Sequence, residues 1–152
     1  MTEAAISALG AVDVGGSGVR VRVQVGDRSL QARRDVPLPQ AGEQRDAPHL
    51  CRNVLVELRT LVAEHQVQRL DALAIGMTGM PGLVPAPVEV ARELWAGLDL
   101  DVVVIASDAL TTHLGALGGR EGAVVAAGTG AISLGTDHLD LWRQVDGWAP
   151  RW

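Results

Sequence analysis

The stretch Asp13-Val14-Gly15-Gly16-Ser17-Gly18-Val19-Arg20 constrains the fold of this 152-residue chain more than any other. It joins two strand-like runs, Ala8–Val12 and Val19–Val25. An acidic residue closes the first run and a glycine-rich turn reverses the chain into the second, so the chain opens on an antiparallel hairpin. In the second run Val19, Val21, Val23 and Val25 alternate with Arg20, Arg22 and Gln24, the period of a strand with one buried face. The turn also suits an anion. Backbone N–H groups in a bend poor in side chains can close on phosphate oxygens, and a carboxylate beside them can hold the Mg²⁺ that travels with a nucleotide. A hairpin can equally use Gly-Gly-Ser-Gly only to turn.

Beyond the hairpin, Arg28–Val36 reads as a third strand and 37–48 as a loop. A helix is expected over Ala47–Gln66, with Leu50, Val54, Leu58, Leu61 and Val62 on one face. Leu70–Ile75 reads as a buried strand. Pro87–Leu98 reads as a helix opened by proline, with Gly97 near its end. Asp101–Ala106 is a Val/Ile run of the kind covered on both faces. A third helix, Asp108–Leu117, ends at Gly118-Gly119. Two strands, Gly122–Ala127 and Ala131–Gly135, flank Gly128-Thr129-Gly130, and Leu139–Val145 reads as a last one. This order predicts an α/β fold, a mixed sheet with helices on its faces.

Composition excludes several functions. The chain is 47% hydrophobic and 20% charged, which is globular. Its apolar runs are too short to span a membrane, and Met1–Ala11 has no secretory leader pattern. Cys51 is the one cysteine, so an internal disulfide is impossible and a reducing cytoplasm is expected. Net charge is −5 and no basic block occurs, which argues against nucleic acid. All 13 basic residues are Arg; without Lys there is no Walker A loop. His49, His65, His113 and His138 have no metal-ligand spacing and read as surface or capping residues. Ser133 fails as a nucleophile elbow because its surroundings read as strand.

Three further elements can carry chemistry. Ser107-Asp108 follows the 101–106 strand and opens a helix. A carboxylate there can take a proton from a substrate hydroxyl, although Ser and Asp are also good helix caps. Gly128-Thr129-Gly130 is a second strand–glycine turn–strand element, so two such turns could bracket one phosphate tail; an ordinary hairpin uses the same residues. Thr78-Gly79, in the loop after the 70–75 strand, offers a hydroxyl and backbone groups to a polar substrate.

Taken in order, Asp-x-Gly-Gly-Ser-Gly, Ser-Asp-Ala after a Val-rich strand, and Ala-Gly-Thr-Gly-Ala-Ile-Ser resemble the sugar-kinase/Hsp70/actin superfamily. Within it the chain looks most like the BadF/BadG/BcrA/BcrD ATPase family, which includes N-acetylglucosamine kinases. The resemblance implies ribonuclease H-like lobes with ATP and substrate between them, and ATP-dependent phosphoryl transfer to a sugar or amino sugar. It implies that Asp13 binds Mg²⁺, that Gly15, Gly16, Ser17 and Gly18 form one phosphate loop, and that Gly128, Thr129 and Gly130 form the other. By the same resemblance Asp108 is the general base, and Thr78 and Gly79 line the sugar site. Family members often carry Thr-Lys where this chain has Ser17-Gly18, and an Asn that hexosamine kinases use is missing from Pro37-Leu38-Pro39-Gln40. Such proteins are longer. Residues 1–152 are therefore expected to be the N-terminal lobe, with the second lobe absent, weak ATP affinity and no turnover alone. Trp142, Trp148 and Trp152 near the end are expected to mediate homodimerisation or other self-association. Two alternatives stand beside the kinase. A dehydratase-activator ATPase would need cluster cysteines, and Cys51 alone argues against it. A non-catalytic binding module is the other.

Overall fold

The computed structural model describes residues 8–15, 18–34, 47–67, 69–77, 87–98, 100–127 and 131–147. The elements run β1 (Ala8–Gly15), β2 (Gly18–Val25), β3 (Arg28–Arg34), α1 (Ala47–Glu64), β4 (Ala72–Met77), α2 (Pro87–Leu98), β5 (Val102–Ser107), α3 (Asp108–Leu117), β6 (Gly122–Ala127), β7 (Ala131–Thr136) and β8 (Trp142–Gly147). The first five strands form one sheet in the order β3-β2-β1-β4-β5. The meander β1–β3 is antiparallel, whereas β4 and β5 run parallel to β1. Helical crossovers make that parallel half possible, since α1 and α2 return the chain to the same end of the sheet.

The alternation in β1 and β2 decides what lies beneath the sheet. Val12, Val14, Val19, Val21 and Val23 are buried on one face, joined by Leu73, Ile75 and Met77 of β4. Against them pack Cys51, Val54, Leu58 and Leu61 of α1 and Val90 and Leu94 of α2. Each fully buried Val, Leu or Met contributes about 1.5–3 kcal/mol relative to exposure. Helix α3 lies on the opposite, outer face. Gly76 of β4 pairs with the outward Asp13 and comes so close to α3 that a Cβ there would meet Thr111 Oγ1 at 2.5 Å. The fold is therefore a mixed sheet with helices on both faces, as expected.

Some boundaries differ from the sequence reading. The fourth strand starts at Ala72, because Asp71 is used as a tie: its Oδ2 accepts from Ala8 N and its carbonyl from Asp101 N. Leu70 stays in the core just ahead of the strand. The Val/Ile strand β5 is not covered on both faces. It is an edge strand whose Val103 and Ile105 face the core while Val102 and Val104 remain about half exposed, at 50% and 52%. The strands after α3 do not extend this sheet. β6, β7 and β8 make a separate antiparallel sheet in that order, where one mixed sheet was expected.

Candidate functional site

Parallel strands level their carboxyl ends, and here Val14, Met77 and Ser107 form one row across β1, β4 and β5. Open α/β sheets collect ligands at this edge. Asp13 stands one residue inside the row, pointing to the outer face with its side chain 51% exposed. It sits opposite Arg20 in the hairpin, and its Oδ2 accepts from Arg20 Nη1 at 2.8 Å. An exposed pair of this kind stabilises by about 0–1 kcal/mol, so the carboxylate can be recruited by a stronger cation at little cost. Gly15 pairs with Gly18 to close the hairpin. Gly16 and Ser17 lie outside the described residues, as do Thr78, Gly79, Gly128, Thr129 and Gly130. Of the second turn, only its flanks can be placed: Ala127 pairs with Ala131.

Asp108 is the first residue of α3. The cap is its neighbour: Ser107 is extended (φ −65°, ψ 150°) and its Oγ accepts from Leu110 N at 3.3 Å. Asp108 is thus released from capping and lies in the first helical turn, where the helix dipole favours an anion. One turn on, the Thr111 hydroxyl donates to the carbonyls of Ser107 and Asp108 at 3.4 and 3.2 Å. The same Thr111 is pressed against Gly76. Gly76 and Thr111 therefore fix how close the first turn of α3 sits to β4, and with it the position of Asp108. The sequence reading did not single out either residue. A glycine inside a strand was the available signal, because it marks close approach of another backbone. At the other end Gly118 takes the left-handed conformation (φ 62°) and its N–H bonds Leu114 O, stopping the helix.

The structure brings Asp13 and Asp108 to one sheet edge, two strands apart, or roughly 10 Å across the sheet. Among the described residues no group of three or more His, Cys, Asp or Glu could hold a metal ion. A lone carboxylate fits Mg²⁺, which keeps most of its waters and leans on one or two carboxylates and substrate phosphates.

His113 corrects an expectation. It is buried, not a surface or capping residue, and its Nε2 hydrogen-bonds Gly122 O at 3.0 Å. His138 meets it edge-on at 5.2 Å and bonds Arg120 O at 3.1 Å. The two rings pin the segment between α3 and β6, so α3 serves both sheets. No described helix is long and apolar enough to cross a membrane.

A five-stranded 3-2-1-4-5 sheet with helices on both faces and acidic residues at its parallel edge is the ribonuclease H-like lobe of the actin-like ATPase fold. No family model and no curated protein matches the sequence. Among solved structures, a candidate N-acetylglucosamine kinase from Chromobacterium violaceum is similar over 95% of this chain, at 26% identity and a TM-score of 0.69. A candidate N-acetylglucosamine kinase from Porphyromonas gingivalis is similar over 90% of the chain, at 18% identity and a TM-score of 0.67. The ethanolamine utilization protein EutJ from Carboxydothermus hydrogenoformans is similar over 91%, at 21% identity and a TM-score of 0.62. The chain spans 50%, 47% and 51% of those three chains, about half their length.

Proposed function

We propose that this chain is the N-terminal lobe of an ATP-dependent sugar kinase, of the N-acetylglucosamine kinase type within the BadF/BadG/BcrA/BcrD ATPase family. One observation carries the reading: Asp13 and Asp108 share the carboxyl edge of the parallel strands, with Asp108 uncoupled from the helix cap. The likeness to the Chromobacterium violaceum structure supports the substrate class. The sheet β6–β8 repeats the antiparallel meander of β1–β3 outside the five-stranded sheet.

In this reading the sugar hydroxyl attacks the γ-phosphorus, the bond to the β-phosphate oxygen breaks, and ADP leaves. Asp108 accepts the hydroxyl proton. Asp13 would hold Mg²⁺, which would supply the positive charge that phosphoryl transfer requires. Glycines 15, 16 and 18 with Ser17, and residues 128–130, present backbone N–H groups to the phosphates, while Thr78 and Gly79 face the sugar. A lone buried thiol and the absence of disulfides agree with a cytoplasmic site of action.

The test has two arms. Titration of Mg·ATP into this chain should show weak saturable binding that Asp13→Asn abolishes. In a polypeptide whose cleft is completed by the second lobe, Asp108→Asn should lower N-acetylglucosamine-dependent ADP release by about 10²–10⁴-fold, the usual yield of a general base. Undiminished ADP release in the Asp108 variant sinks the base assignment.

A further inference from the structure

We propose that His113 is the sensor of an acid-sensitive latch, which holds α3 to the second sheet at neutral pH and releases it as the pH falls. The latch is built on the turn between α3 and β6. Gly118 and Gly119 leave the helix in the left-handed region (φ 62° and 76°). Gly122 enters β6 at φ 145°, packed so closely that a Cβ there would meet Leu117 Cδ1 at 2.9 Å. Two carbonyls of this turn are each held by an imidazole. His113 Nε2 bonds Gly122 O at 3.0 Å, and the half-buried His138 bonds Arg120 O through Nε2 at 3.1 Å. The rings meet edge-on at 5.2 Å, and His138 in turn packs against Trp142 at 6.0 Å.

A carbonyl only accepts, so the bonded Nε2 carries the hydrogen and neutral His113 keeps a bare Nδ1. That Nδ1 is buried and has no hydrogen-bond partner among the described residues. An added proton has to go there, and burial without an acceptor disfavours the charged ring. The surroundings do not offset this. Helix α3 packs against β1, β4, β5, β6 and β7. Strands β4 to β7 carry no titratable side chain, and β1 offers only Asp13, which pairs with Arg20. On α3 itself the other ionisable group is Asp108, five residues before His113. In the flanking turns lie Arg120, Glu121, Asp137 and Asp140; Asp137 already accepts from the N–H groups of Leu139 and Leu141. Among the described residues no carboxylate bonds either ring. A proton on His138 only adds like charge beside His113. The neutral ring fits the closed junction, so its contribution is present above the ordinary imidazole range and is lost as the pH falls. Release would uncouple α3, which opens with Asp108, from the strands on either side of residues 128–130. The latch stands on the junction alone and holds whether or not that edge transfers phosphate.

Amide hydrogen exchange of the whole chain, corrected for the intrinsic effect of pH, tests it at about pH 7.5 and about pH 5, on either side of imidazole titration. On acidification β6 and β7 should lose protection about tenfold or more relative to β1 and β4. His113→Gln, whose amide can still donate to Gly122 O but takes up no proton, should remove most of that difference. Nitrogen NMR of the imidazoles supplies an arm without any substitution, and it decides the matter if thermal melts show the variant unfolded. The His113 ring should hold the neutral Nε2–H form at the higher pH and gain its second proton together with the loss of protection in β6. Three outcomes overturn the proposal: protection in β6 and β7 that falls no further than in β1 and β4, the same acid response in a folded His113→Gln chain, or a His113 ring that gains its proton while β6 and β7 stay protected.

Discussion

The two sheets of this molecule begin alike and end differently. Each opens as an antiparallel meander, β1–β3 in one and β6–β8 in the other. The first buries its valine face under α1 and α2, so that Val14 and Val23 are wholly inaccessible. Among the described residues the second is covered on one side only, where Leu134 and Thr136 lie under α3. Its other side exposes Val125 at 74% and Val145 at 65%. Val125, Ser133 and Val145 share a row across that bare face. Alternating apolar patterns build both meanders; burial under helices is what separates a sealed core from a half-covered sheet.

The comparison breaks most easily at the core. Leu58→Ala, under the first sheet, should cost about 2–5 kcal/mol in urea denaturation. Val125→Thr, on the open face of the second, should stay within about 0.5 kcal/mol. Comparable losses at both positions would mean that the second sheet is covered in solution. The next effect is at the joint between sheet and site. Gly76→Ala forces a methyl onto Thr111 and should cost about 1–3 kcal/mol. Thr111→Ser on top should recover part of that, and a double-mutant cycle should show the coupling. Additive effects would disprove the tight contact.

His113 sharpens the comparison because it links the two regions. Replacing the buried His113 with Leu removes its bond to Gly122 O, costing about 0.5–1.5 kcal/mol. Amide exchange should then accelerate in β6 and β7 while β1 and β4 keep their protection. Equal acceleration in both sheets would show that His113 supports the whole molecule and not the junction.

Much of this was legible in the residues. The hairpin around residues 15–18, the Pro87–Leu98 helix and the Asp108–Leu117 helix follow from local rules, namely period-two alternation, proline at a helix start and glycine at a helix end, and the structure agrees with them. What the residues could not give was partition in space. The Val-rich run 102–105 looks doubly buried because its pattern reports apolarity, while its place at the sheet edge depends on strand order. Likewise nothing local says that β6–β8 leave the first sheet, or that His113 sits between them. For the site, Asp13 and Asp108 were readable as acids beside turns. Gly76 and Thr111 were not, because their role is a contact between residues 35 positions apart in the chain.

Titration sets the two regions against each other most directly. In the sealed core, burial and then the nearby Glu93 push the Cys51 thiol up to about 12 from an ordinary 9.0. A raised pKa favours the folded state below the unfolded value. That contribution is therefore complete below about pH 9 and declines as pH climbs toward 12. Beside the open sheet, the backbone N–H groups of Leu139 and Leu141 both donate to Asp137 Oδ1 and hold its carboxyl below the usual range. A lowered pKa works in the opposite direction: its contribution is present above the ordinary carboxylate value and fades as pH falls through the folded one. Cys51→Ala should thus flatten the alkaline limb of stability against pH and leave the acid limb alone, whereas Asp137→Asn should flatten only the acid limb, and more weakly because the group is exposed. An acid limb changed by Cys51→Ala, or an alkaline limb changed by Asp137→Asn, would overturn the assignment of each limb to its group.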